Sequence, residues 1–253
     1  MKKESNHTED WDFYMSNVDN VIGSIAVDLG LINIAPVASK PNMTWVSIFM
    51  RNPREDGLIS LEENEFLFEI EDNIVNNIVN KHDAIYAGRL TSDGMRHLYF
   101  YFDNTDNYEK TITQAMSKYP TYKFDFGTKE DTEWEGYINF LYPLPDQYQI
   151  IMNERVIRNL EENGDNLAKE RMVDHGIYFE TEKDMENYIS EIKKQNFEVI
   201  NTHQDEDGGY SLEVGRVDKV DSHSVNDYVL YLWDLASEYN GDYLGWGCTI
   251  EKD

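Results

Sequence analysis

The chain has 253 residues, 49 of them Asp or Glu against 22 Lys or Arg, for a net charge of −27; 40% are hydrophobic and 13% aromatic. That charge works against direct contact with a nucleic-acid backbone or an anionic membrane surface, and the aromatic content is too high for a disordered acidic chain. A single cysteine, Cys248, excludes an intramolecular disulfide and a cysteine zinc cluster. No stretch approaches the ~18 consecutive apolar residues of a membrane span. Two lysines at the start, with no apolar run behind them, make no signal peptide, so the expected compartment is the cytoplasm.

Trp11 to Val18 and Val21 to Leu29 read as an opening hairpin across Asp19-Asn20, short polar residues that tolerate positive φ. After a loop through Pro36 and Pro41, Thr44 to Met50 is a strand rich in β-branched and aromatic residues. Ser60, with Glu63 three residues on, has the spacing of a capping box. Phe66, Ile70, Ile74, Ile78 and Val79 then recur at helical spacing to about Lys81. Ala84 to Leu90 and Met95 to Phe102 form a second hairpin across Ser92-Asp93-Gly94. A helix from about Asp106 to Lys118 and a strand from Tyr122 to Phe126 complete the first set.

An aromatic stretch, Trp134 to Tyr142, ends in Pro143-Leu144-Pro145, the best domain boundary in the chain. Asp146 is placed to cap a helix that closes at Gly164. His175 to Phe179 is a strand, and Thr181 caps a helix to about Gln195. Strands at Phe197 to Thr202 and Tyr210 to Val217, a helix from Val225 to Tyr239, and a strand from Tyr243 to Ile250 complete the second set. The order β-α-β-β-α-β thus occurs twice. The expected fold is α+β: two ferredoxin-like domains in tandem, residues 1–145 and 146–253, the first preceded by a β-hairpin. Acidity is shared between them, with 12 basic and 24 acidic residues up to position 145 and 10 and 25 beyond it.

Catalytic constellations are scarce. Gly208-Gly209 lacks the Lys-Ser/Thr pair of a phosphate loop, and there is no Gly-x-Ser-x-Gly elbow. The six histidines make no His-x-x-x-His pair, and the single Glu-x-x-His spacing, Glu4 to His7, stands alone at the polar start of the chain, so no metal site is expected. Asp174 and His175 are neighbours on a strand and point to opposite faces. Asp205 to Gly209 opens like a calcium loop, but position twelve is Arg216 and the closing Glu is missing; it reads as a solvated hairpin tip. Cys248 reads as a small core residue. Trp134, Tyr137, Phe140 and Tyr142 read as packing beneath the boundary.

The second half carries a recognisable pattern: Glu161-Glu162-Asn163-Gly164-Asp165, then Asp174-His175 entering a strand, and a close at Asn240-Gly241-Asp242-Tyr243-Leu244-Gly245-Trp246-Gly247. It resembles the family of regulators of ribonuclease E activity B, with Leu244 where that family often has Asp. The first half, with Asp10-Trp11-Asp12-Phe13-Tyr14, Asp28-Leu29-Gly30-Leu31 and Gly88 to Gly94, resembles a bacterial family of unknown function found fused to that module.

The resemblance implies a non-enzymatic protein that binds a ribonuclease and restrains it, with no cofactor. The expected partner is a protein, a ribonuclease or another basic protein, with no direct contact to nucleic acid or membrane. Tyr243, Trp246 and Asp242 on the last strand are the candidate protein-binding residues. The alternative is a small-ligand binder or enzyme with a pocket between the domains, for which Arg89, Asp93, Arg96 and His97 are candidates, since charges cluster there unusually for this chain. Their simpler reading is that both arginines neutralise neighbouring acids.

Overall fold

Two hairpins built on the same turn chemistry frame the first sheet. In the computed structural model, which describes residues 7–206 and 208–252, β1 (Trp11–Val18) and β2 (Val21–Asp28) turn at Asp19 and Asn20, both at positive φ. β4 (Ile85–Ser92) and β5 (Met95–Phe102) turn at Asp93 and Gly94 in the same way. Two consecutive left-handed residues match the twist of the flanking strands. β3 (Asn42–Phe49) lies between β5 and β6 (Phe124–Glu130), giving an antiparallel sheet in the order β1-β2-β4-β5-β3-β6. The last of these strands starts later than the sequence predicts, at Phe124, because its ladder follows β3 from Ile48 back to Asn42.

Helices α1 (Asn64–His82) and α2 (Tyr108–Met116) cover one face, where Leu67, Ile70, Ile74, Ile78 and Ile112 meet Val46, Ile48, Leu98 and Phe100. Two sequence expectations fail at the start of α1. Ser60 and Glu63 form no capping box, because the Glu63 carboxylate accepts the backbone N–H groups of Arg51 and Asn52 at 2.7 and 2.9 Å. Phe66 is 57% exposed, and Leu67 takes its place in the core. Each step of four residues turns a position about 40° round a helix axis, so three steps from Ile78 carry Phe66 off the buried face.

The opposite face is sealed by the aromatic segment. Trp134 is fully buried and stacks on Tyr101 with ring centroids 3.9 Å apart. A short π-helical turn, Gly136–Leu141, comes directly after it. Tyr137 donates to the Asp28 carbonyl at 2.8 Å, Tyr14 donates to that of Leu141 at 3.0 Å, and the Asp131 carboxylate gathers the Tyr101 hydroxyl and two backbone amides. Trp134 and Tyr137 are core residues, whereas Phe140 stands half in solvent, edge-on to Tyr99.

The chain divides after Leu144 into two compact units. The second begins with α3 (Pro145–Glu162), in which Asp146 already sits in the first turn and does not cap it. Next come β7 (Arg171–Phe179), α4 (Glu182–Ile192), β8 (Glu198–Gln204), β9 (Tyr210–Asp218), α5 (Ser222–Glu238) and β10 (Gly241–Cys248). Thr181 caps α4 by accepting the Asp184 amide, and Asp221 starts α5 three residues earlier than expected by accepting that of Ser224. The sheet is antiparallel in the order β10-β7-β9-β8. β8 is an edge strand, and all seven of its residues are exposed. The molecule is therefore α+β with two antiparallel sheets. No helix among the described residues is long and apolar enough to cross a membrane.

Candidate functional site

Alternation along the strands of the second sheet separates two faces of opposite character. Val173, His175, Ile177 and Phe179 of β7, with Leu212 and Val214 of β9, turn inward onto the helices. The register places Met172, Asp174, Gly176 and Tyr178 on the other face, beside Val217, Gly215, Glu213 and Ser211 of β9. Asp242 and Gly247 of β10 and Glu198, Asn201 and His203 of β8 extend it. Across all four strands this outer face has no Lys or Arg. It combines acids with exposed apolar side chains, Met172, Ile200, Val217 and Leu244, the last 66% exposed.

At the centre of this face lies a shallow depression of about 410 Å³, lined by Asp174, Gly176, Asn201, His203, Glu213 and Leu244. Gly176 supplies no side chain, and a Cβ there would come within 3.7 Å of Leu244. One Asp174 carboxylate oxygen is buried without a hydrogen-bond partner. His203 Nε2 lies 2.9 Å from a carboxylate oxygen of Asp205. Asp207, at the tip of the adjoining hairpin, lies outside the described residues. No three His, Cys, Asp or Glu side chains among the described residues gather into a metal-holding group.

The closing motif does not present its aromatics to this face. Strict alternation from Tyr243 would send Trp246 outward, but β10 carries a bulge that sets both Leu244 and Gly245 against Gly176, with Gly245 at a φ of 134°. The extra residue turns Leu244 out and brings Trp246 back beside His175 on the inner side. The Trp246 indole donates to the Asn153 Oδ1 at 3.1 Å, and Asn153 is itself fully buried and bonded to Asn226. Tyr243 hydrogen-bonds His175 Nδ1 at 2.8 Å. Burial drives the His175 pKa down to about 3, so the imidazole is neutral, held edge-on to Phe197 and Tyr228. Cys248 is partly buried against the same core, with its thiol pKa pushed up by burial. Of the three residues singled out on the last strand, Asp242 alone is exposed on the outer face.

The four residues singled out in the first unit do not converge. Arg89 and Arg96 both reach the α1 side of the sheet, where their Nη1 atoms donate to the two oxygens of Glu71 at 2.7 and 2.9 Å. Tyr86 donates to the same carboxylate at 2.9 Å. Burial raises the Tyr86 pKa and lowers that of Arg96. His97 lies on the other face, where Nδ1 meets Ser47 Oγ at 2.7 Å and burial lowers its pKa, while Asp93 occupies the hairpin turn. The arginines' acidic partner is Glu71 of α1 and not a neighbour on their own hairpin. The signal was present: Glu71 lies four residues after Leu67 and three before Ile74, in phase with the buried stripe.

Fold and faces together define a two-unit α+β protein whose second sheet is open on a cation-free side. The chain belongs to a family of unknown function, DUF695, whose model matches residues 9–142, and the model of the family of regulators of ribonuclease activity B matches residues 150–248. No curated protein matches the chain. The crystal structure of an unknown protein from Galdieria sulphuraria is similar over 83% of this chain and 99% of its own, with 11% identity and a TM-score of 0.22.

Proposed function

We propose that the protein is a non-enzymatic regulator that binds a ribonuclease through the outer face of the second sheet and restrains its action on RNA. The observation that carries this reading is the composition of that face: Asp174, Glu213 and Asp242 among exposed Met172, Ile200, Val217 and Leu244, with no cation, on a unit of the regulator family. Such a surface suits a partner with basic and apolar groups and repels RNA itself, so regulation acts on the enzyme and not on its substrate. The division into residues 1–145 and 146–253 fits this reading. The shared strand order of β4-β5-β3-β6 and β8-β9-β7-β10 supports reading each unit as ferredoxin-like.

The test is biolayer interferometry of the full chain against ribonuclease E from the same organism, at low and high salt, with cleavage of a labelled RNA measured alongside. Reversing two exposed charges, Glu213→Lys with Asp242→Lys, is expected to weaken binding at least tenfold and to relieve inhibition. Unchanged binding by that variant, or direct binding of the protein to the RNA, overturns the proposal.

A further inference from the structure

The depression on the outer face of the second sheet is made by missing side chains. Across β10, β7 and β9 one row of paired residues runs Gly247, Asp174, Gly215, and the next runs Gly245, Gly176, Glu213. Asp174 therefore has a glycine beside it on each neighbouring strand. A Cβ at Gly247 would meet nothing within 4 Å, and Gly247 is not among the positive-φ residues. Over Gly215 the same space is taken by Ile200 Cδ1, Met172 Sδ and Asp174 Oδ1. The β10 side of the depression is thus bare backbone, with exposed Leu244 as its apolar wall.

Two carboxylates border this space, and neither has a partner. The side chains of Asp174 and Glu213 accept no hydrogen bond and meet no Lys or Arg among the described residues, and Asp174 Oδ1 is buried without a donor. A buried acceptor left unpaired costs free energy that an incoming donor offsets. The two acids are diagonal neighbours on adjacent strands, a separation of about 7–8 Å. An ammonium is a compact point of charge, whereas a guanidinium carries donors on opposite edges of one plane. A guanidinium therefore reaches towards both acids while lying flat on a floor that has no side chains.

We infer that the depression seats one arginine side chain of the ribonuclease partner, its guanidinium bridging Asp174 and Glu213 over Gly176 and Gly247. Its aliphatic stem lies against Leu244, as the stems of long cationic side chains do on apolar surface. The inference rests on the reading that the outer face docks a ribonuclease, and it names the group that enters that face. No Lys or Arg on this face competes for the two acids.

Nα-acetyl-arginine methylamide, titrated into the isotope-labelled full chain and followed by amide chemical shifts, tests this. Saturable shifts are expected at Gly176, Glu213 and Gly247, with the lysine analogue binding at least tenfold more weakly. Gly247→Val adds a side chain where the fold has room and fills the seat, so it should abolish binding at an unchanged melting temperature. Asp174→Asn keeps the shape and removes the charge, and should weaken the arginine analogue at least tenfold. Shifts that do not saturate, equal binding of the two analogues, or full binding by Asp174→Asn overturns the inference. Interferometry of Gly247→Val against the ribonuclease separates the two readings. Full affinity there leaves the regulator proposal standing and overturns the arginine seat. Binding of the arginine analogue by a native chain that does not bind the ribonuclease overturns the regulator proposal and leaves the seat.

Discussion

Four strands of the first sheet repeat the order of the second, but the two sheets are covered differently. The first has helices on one face and, on the other, a plug of Trp134, Tyr137 and Leu141 with no counterpart in the second among the described residues. The second has helices on one face only, and its other side keeps Leu244, Val217 and Ile200 in solvent. The first unit has thus invested its aromatic residues in closing a face, and the second leaves the equivalent face available. A surface that stays open while apolar is the ordinary signature of a place where something binds.

Three measurements would break or sharpen this contrast. The largest effect is expected from Trp134→Ala, which removes a fully buried ring stacked on Tyr101 and should cost about 3–5 kcal/mol in urea denaturation. Leu244→Ser on the open face should stay within about 0.5 kcal/mol. Equal losses from the two would erase the distinction between plugged and open faces.

The second effect concerns pH and the core beneath the open face. His175 stays neutral in the folded protein, with a pKa near 3 against an ordinary 6.5. Between those values the unfolded chain binds a proton that the folded chain refuses, so this stability is present above pH 6.5 and lost on acidification. At about 1.4 kcal/mol per unit, lowering the pH from 6.5 to 5 should remove about 2 kcal/mol. Comparing the native protein with His175→Phe by denaturation at both pH values isolates the share owed to this ring; identical slopes would refute it. The smallest effect is Thr181→Ala, which deprives the Asp184 amide of its cap and should cost about 1 kcal/mol by thermal melting.

Local chemistry made much of the fold legible. Asp19-Asn20 and Asp93-Gly94 announce two-residue turns because few residues accept positive φ, and both turns form. Thr181 announces a cap because its hydroxyl reaches an amide three residues on. Long-range choices were less legible. Ser60 and Glu63 have capping-box spacing, yet Glu63 serves backbone amides of the preceding loop. The orientation of Trp246 hangs on a single extra residue at Leu244–Gly245, which reverses the faces taken by the rest of the strand. The asymmetry of charge on the second sheet is invisible until the register is known, because the same strands carry apolar residues inward.

The exposure of β8 has a consequence in time. Held by one ladder and covered on neither side, it is the strand with least to lose on opening, and its amides should exchange with deuterium long before those of β7. Asn201 and His203 of this strand line the depression on the open face. One wall of the proposed docking surface is therefore its most labile part, and a bound partner should also slow its fluctuations.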